Sequence, residues 1–161
     1  MKDEEFSLWL RNCNTHYLFF DGASKSDPGM AGAKGIICNG NGDIIIAYEW
    51  GLGNLSNNRA KALALYQGLL QLQKLGINTT VIIGDSAIVI SLMVHNRKAS
   101  NLILQQTIRR FQDLDQQMKG NRFYHVLRSL NKEADAQANK ACLHHIGTLR
   151  CNASEHHCYL P

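Results

Sequence analysis

No apolar run in this 161-residue sequence approaches the ~20 residues a membrane-spanning helix needs, so no membrane span is expected. Residues Met1 to Asn14 mix Lys2, Asp3, Glu4 and Glu5 with Phe6, Leu8, Trp9 and Leu10. They lack a basic start, a long apolar stretch and a small-residue cleavage site, which argues against secretion and predicts an intracellular, cytoplasmic or nuclear, protein. A disulfide framework is missing too: the five cysteines (Cys13, Cys38, Cys142, Cys151, Cys158) are odd in number and scattered, as expected of free thiols in a reducing compartment. In such a compartment the sequons at Asn78-Thr79-Thr80 and Asn152-Ala153-Ser154 are coincidental. There is no internal repeat and no dividing linker. The net charge of +4 is compatible with a polyanionic partner but does not by itself indicate one.

What is present suits one domain with one core: 45% hydrophobic and 19% charged residues are ordinary for a globular protein. His16-Tyr17-Leu18-Phe19-Phe20-Asp21 reads as a buried strand ending on a carboxylate, and Gly22 to Gly29 is a dense turn signal. Ala31 to Cys38 and Ile44 to Trp50 are strand-like runs joined by Asn39-Gly40-Asn41-Gly42-Asp43, predicting a hairpin and hence a three-stranded antiparallel meander. Ser56-Asn57-Asn58 supplies N-cap chemistry for a long, largely buried helix from about Arg59 to Leu75, stopped by Gly76.

Thr79 to Ile83 is a β-branched strand leading into Gly84-Asp85, and Ser86 starts a helix to about His95. A helix from about Leu102 to Met118, a strand at Phe123 to Leu127 and a last helix from about Asn131 to Cys142 complete the series. The order implies an α/β fold with a five-stranded mixed sheet, three antiparallel strands then parallel ones, flanked by helices on both faces. The chain divides into an N-terminal extension (1–14), a domain (15–143) and a tail (144–161) that loses periodicity and is expected to be loosely ordered. Phe6, Trp9 and Leu10 of the extension read as an amphipathic turn packed on the sheet or a partner contact.

Asp21 and Asp85 each fall at the C-terminal end of a strand, the edge where α/β sheets place their sites, and Asp135 lies in the first turn of the last helix. Clustered, such hard oxygen ligands would favour Mg²⁺ or Mn²⁺ and phosphodiester hydrolysis. Aspartates also occur at these positions for turn and helix-dipole reasons alone, so spacing leaves both readings open.

Four ordered motifs then carry a resemblance: Tyr17-Leu18-Phe19-Phe20-Asp21-Gly22-Ala23-Ser24-Lys25 with Pro28-Gly29, Ser56-Asn57-Asn58-Arg59-Ala60, Gly84-Asp85-Ser86, and Asn131-Lys132-Glu133-Ala134-Asp135. Over roughly Tyr17 to Cys142 the chain resembles the ribonuclease H family, in particular its plant retroelement-type, reverse-transcriptase-associated domains. The resemblance implies a ribonuclease H-like fold that cuts the RNA strand of an RNA–DNA hybrid, using two Mg²⁺ ions held by three aspartates and one glutamate. Asp21, Asp85 and Asp135 match the aspartates, and Lys61 stands at the glutamate position.

With a glutamate the site would carry four negative charges; with Lys61 it carries a net of minus two. An ammonium ~4 Å from a unit charge interacts by ~4 kcal/mol at an effective dielectric near 20, and a dication doubles this as repulsion. Mg²⁺ or Mn²⁺ binding is therefore expected to be weak or absent and hydrolysis strongly reduced or lost, with Lys61 serving as a counter-ion to Asp21 and Asp85. The competing reading has Lys61 extend to solvent while the aspartates hold one ion.

By the same resemblance Ser24, Ser56, Asn57 and Asn58 face substrate, and Arg128 and Asn131 lie near the last catalytic turn. Asn58 also reads as a helix cap. Asp27 stands where many relatives have asparagine, placing an anion near phosphates. The expected partner is RNA–DNA hybrid or double-stranded RNA; a non-catalytic nucleic-acid-binding or protein-interaction module on the same fold is the alternative. His125 reads as a strand residue rather than a catalytic base. His144, His145, Cys151, His156, His157 and Cys158 match no standard zinc spacing.

Overall fold

The computed structural model describes residues 15–25, 29–94, 102–118, 120–126, 148–152 and 154–157. The aromatic run becomes β1 (His16–Ser24), followed by β2 (Gly29–Cys38) and β3 (Ile44–Leu55). Alternation decides which face each side chain takes. Leu18 and Phe20 of β1 join the main core, whereas Tyr17 and Phe19 join a small cluster with Val81, Ile83, Tyr124 and Val126. Tyr17 and Phe19 meet edge to face, with ring centroids 5.6 Å apart. The β2–β3 turn is closed by Asn39, whose side-chain oxygen accepts from the backbone of Asn41 and Asp43, and Gly42 takes the positive φ of 87° the turn requires.

Helix α1 (Asn57–Lys74) begins two residues earlier than the sequence suggests, because Ser56 itself is the N-cap and accepts from the Arg59 backbone. It ends as expected at Gly76, where φ is 71° and the Ile77 amide donates back to the Leu72 carbonyl. Then come β4 (Thr80–Gly84), α2 (Ala87–Val94), α3 (Leu102–Gln117) and β5 (Arg122–His125). The three described helices and one sheet face share a core built on Trp50, Tyr48, Phe20, Phe111 and the leucines of α1. No described helix is long and apolar enough to cross a membrane. The helix expected over 131–142, and with it Asp135, lies outside the described residues.

The sheet order is β5-β4-β1-β2-β3-β6-β7, with β1–β2–β3 antiparallel and β1–β4–β5 parallel. All five expected strands are there, in the expected sense. Two more correct the expected count: β6 (Thr148–Cys151) and β7 (Ser154–His157) form an antiparallel hairpin that extends the sheet beyond β3, giving seven strands among the described residues. The expectation of a loosely ordered tail is therefore wrong for these residues.

The physical reason lies in β3, whose outer edge would otherwise expose unpaired backbone. Leu149 is 4% exposed opposite Trp50, Arg150 stands opposite Glu49, and Asn152, in the left-handed region at φ 54°, exchanges hydrogen bonds with the Ala47 backbone.

Candidate functional site

Parallel pairing aligns Phe19 of β1 with Ile83 of β4, so two residues further on Asp21 and Asp85 stand level at the same sheet edge. Helix α1 approaches β1 closely there. A Cβ built on Gly22 would lie 2.2 Å from the Ala60 carbonyl carbon and 2.4 Å from the Lys61 amide, so only glycine lets the helix rest on the strand at this point. The Asp21-Gly22 and Ala60-Lys61 pairs are thereby locked together, and Lys61 emerges beside the two carboxylates.

Its ammonium bridges them: Lys61 Nζ donates to Asp21 Oδ1 at 2.6 Å and to Asp85 Oδ1 at 2.9 Å. Asp21 Oδ1 also accepts from the Gly22 amide at 2.9 Å. The cluster is enclosed, with Asp21 0% and Lys61 8% exposed. Burial works against the lysine's charge, but the Asp21 charge, hydrogen bonds to Asp21 and Asp85, and the Asp85 charge outweigh it and hold its pKa above the ordinary lysine value. Lys61 thus points inward as a counter-ion, and the alternative in which it extends to solvent does not describe this structure.

Two carboxylates already bridged by an ammonium do not fit a divalent ion, which takes several oxygen ligands and repels a neighbouring cation. Among the described residues no group of three or more histidine, cysteine, aspartate or glutamate side chains could hold a metal.

Of the expected substrate residues, the structure brings Ser24 and Asn57 together: Asn57 Oδ1 accepts from the Ser24 amide at 2.8 Å, tying the end of β1 to the first turn of α1. Ser56 serves as the cap, and Asn58 is exposed in the first turn of the helix, so the reading of Asn58 as the cap is corrected. Asp27, Arg128, Asn131 and Asp135 lie outside the described residues.

His125 is the last residue of β5, paired with Gly84, and its Nε2 lies 3.1 Å from the Asp85 carbonyl oxygen. In the Nε2-protonated tautomer it donates there and steadies the chain carrying Asp85. This contact escapes sequence reading because it depends on the β4–β5 register. Lys34 escapes it for a similar reason. It stands directly opposite Asp21 on β2 and is 6% exposed, with Nζ 3.7 Å from Glu49 Oε1 on β3.

Residues 19–141 match the family described as reverse transcriptase-like. The chain is 29% identical over 125 residues to a ribonuclease HI of Halobacterium salinarum, covering 78% of this chain and 63% of that protein. It is likewise 29% identical over 122 residues to a bifunctional protein of Mycobacterium tuberculosis, covering 75% of this chain and 34% of that one. The chain thus spans less than two thirds of the length of these curated relatives. Among solved structures, the ribonuclease H1 of H. salinarum superposes with a TM-score of 0.74 at 28% identity, covering 79% of this chain and 96% of that one. The N-terminal ribonuclease H domain of the M. tuberculosis protein gives 0.75 at 26% identity, covering 80% and 93%.

Proposed function

This chain belongs to the ribonuclease H family through its reverse transcriptase-like match, and from that premise we propose that it is a domain for RNA–DNA hybrid whose hydrolytic step is impaired or lost because Lys61 occupies the metal space between Asp21 and Asp85. The observation that carries the reading is the ammonium at 2.6 Å and 2.9 Å from the two carboxylates.

A divalent ion entering between these carboxylates meets a fixed positive charge within contact distance. At ~4 Å and an effective dielectric near 20, that repulsion is about 8 kcal/mol for a dication. Even a fifth of it, after relaxation, amounts to about a tenfold loss of affinity. The ammonium cannot diffuse away, because its stem is part of α1 and is held under the helix where Gly22 meets Ala60. Binding of nucleic acid depends on other groups. Duplex contact is made through phosphates and 2′-hydroxyls, and the groups that would make it are Ser24, at the end of β1, and Asn57 and Asn58, in the first turn of α1.

The test measures Mg²⁺- and Mn²⁺-dependent cleavage of a labelled hybrid by the unchanged chain and by Lys61→Glu, alongside hybrid binding in a mobility-shift assay. The expected result is binding by both and measurable cleavage only by Lys61→Glu. Efficient cleavage by the unchanged chain would overturn the reading of Lys61. Absence of hybrid binding by both would overturn the assignment to hybrid and favour a protein-interaction role for the fold.

A further inference from the structure

We infer that Lys34 is a second, independent cation set against a metal at this site, so that exchanging Lys61 alone does not restore full divalent-ion affinity. The inference rests on the reading of Lys61 given above and deepens it. Its basis is register. Residues directly opposite in an antiparallel pair project from the same face with Cβ atoms about 5 Å apart. Asp21 stands opposite Lys34, Lys34 opposite Glu49, and Glu49 opposite Arg150, so charges alternate in sign across four adjacent strands.

Lys34 is the enclosed member of this row beside the site, 6% exposed, and its Nζ is drawn toward Glu49 Oε1 at 3.7 Å. Lys61 pairs with Asp21, and Lys34 adds positive potential from the neighbouring strand. A unit charge even ~8 Å from a dication interacts with it by ~4 kcal/mol at an effective dielectric near 20. Relaxation can remove most of the effect and still leave about a tenfold difference in affinity.

Glu49 makes the inference testable in both directions, because it sits on β3, across β2 from β1, and its carboxylate draws on the Lys34 ammonium from that side. Removing its charge should free Lys34 to turn toward Asp21 and increase its influence. A purely structural Lys34–Glu49 pair would instead give the two substitutions effects of the same kind.

The experiment is calorimetric titration of Mn²⁺ and Mg²⁺ into the full chain, without nucleic acid, for the unchanged protein and for Lys61→Glu alone, with Lys34→Met, and with Glu49→Gln. Melting by circular dichroism confirms that each variant is folded. Relative to Lys61→Glu, affinity should rise about tenfold on adding Lys34→Met and fall severalfold on adding Glu49→Gln. Equal affinities in the three Lys61→Glu variants, or a decrease with both additions, would overturn the role of Lys34. Tight ion binding by the unchanged chain would instead overturn the reading of Lys61, so the two failures are distinct.

Discussion

Lys61→Met keeps the length of the lysine stem, with sulfur in place of one methylene, and removes the ammonium, so it isolates what the charge does for the fold. Asp21 is 0% and Lys61 8% exposed, and the two hydrogen bonds from Nζ are 2.6 Å and 2.9 Å long. Removing one partner of a buried ion pair costs ~3–5 kcal/mol, because the other is left as an uncompensated charge. For a domain of this size each kcal/mol moves Tm by ~2–4 °C, so thermal melting at pH 7 should show Tm lower by about 6–20 °C.

The deficit should depend on pH with a definite sign. Two adjacent carboxylates without a counter-ion cannot both ionise cheaply, so one takes up a proton more readily, and the variant's deficit should shrink as pH falls toward about 4. In the unchanged chain the Lys61 pKa is raised above its ordinary value. Its contribution is therefore complete below the unfolded lysine value of ~10.4 and is lost as pH climbs through the higher folded value. A Tm within about 2 °C of the parent at pH 7, with no narrowing on acidification, would refute the claim that the ammonium holds these carboxylates together.

Three further changes probe the scaffold. Gly22→Ala would drive a Cβ to 2.2 Å from the Ala60 backbone, which cannot give way, and should cost about 3 kcal/mol in urea unfolding; an unchanged midpoint would mean that α1 is not seated on β1 there. Tyr48→Phe removes a buried hydroxyl that donates to the Ala64 carbonyl at 2.6 Å and should cost about 1–2 kcal/mol with the fold retained, measured in the same way. Leu149→Ala truncates a side chain only 4% exposed and should cost about 2–4 kcal/mol, whereas a hairpin merely lying against β3 would give a loss near zero.

The central elements are legible in the sequence because each has a strong local signal: alternation in β1, the Asn-Gly turn before β3, the serine cap and glycine stop of α1. The carboxylate pair is legible for a related reason, since Asp21 and Asp85 each follow a buried strand, and parallel neighbours bring such ends level. The hairpin of β6 and β7 carries no comparable pattern. Its strands are four residues each, and what holds them is the edge of β3, Leu149 against the core and the Asn152 turn, all of them tertiary. Lys34 is not legible, because nothing near it in sequence marks it. Only the β1–β2 register sets it opposite Asp21.

The same register explains why a cation belongs at this edge whatever its source. Bringing Asp21 and Asp85 level, with Asp21 fully enclosed, concentrates negative charge that folding must neutralise. A bound ion does this only at a concentration above its dissociation constant, whereas a lysine carried on α1 does it at every ion concentration. Folding of the unchanged chain should therefore be uncoupled from divalent metal: melting in excess chelator and in 10 mM Mg²⁺, the latter on the order of 100 times a typical dissociation constant for a competent site, should give the same Tm. Lys61→Glu should behave oppositely, unstable in chelator and, with the about tenfold weaker affinity that Lys34 leaves it, recovering ~1.4 kcal/mol at that concentration, or about 3–6 °C in Tm. A metal-dependent Tm in the unchanged chain would mean that the ammonium yields its place to an ion. An unresponsive Lys61→Glu would mean that its carboxylates do not assemble a site, even with the lysine at position 61 gone.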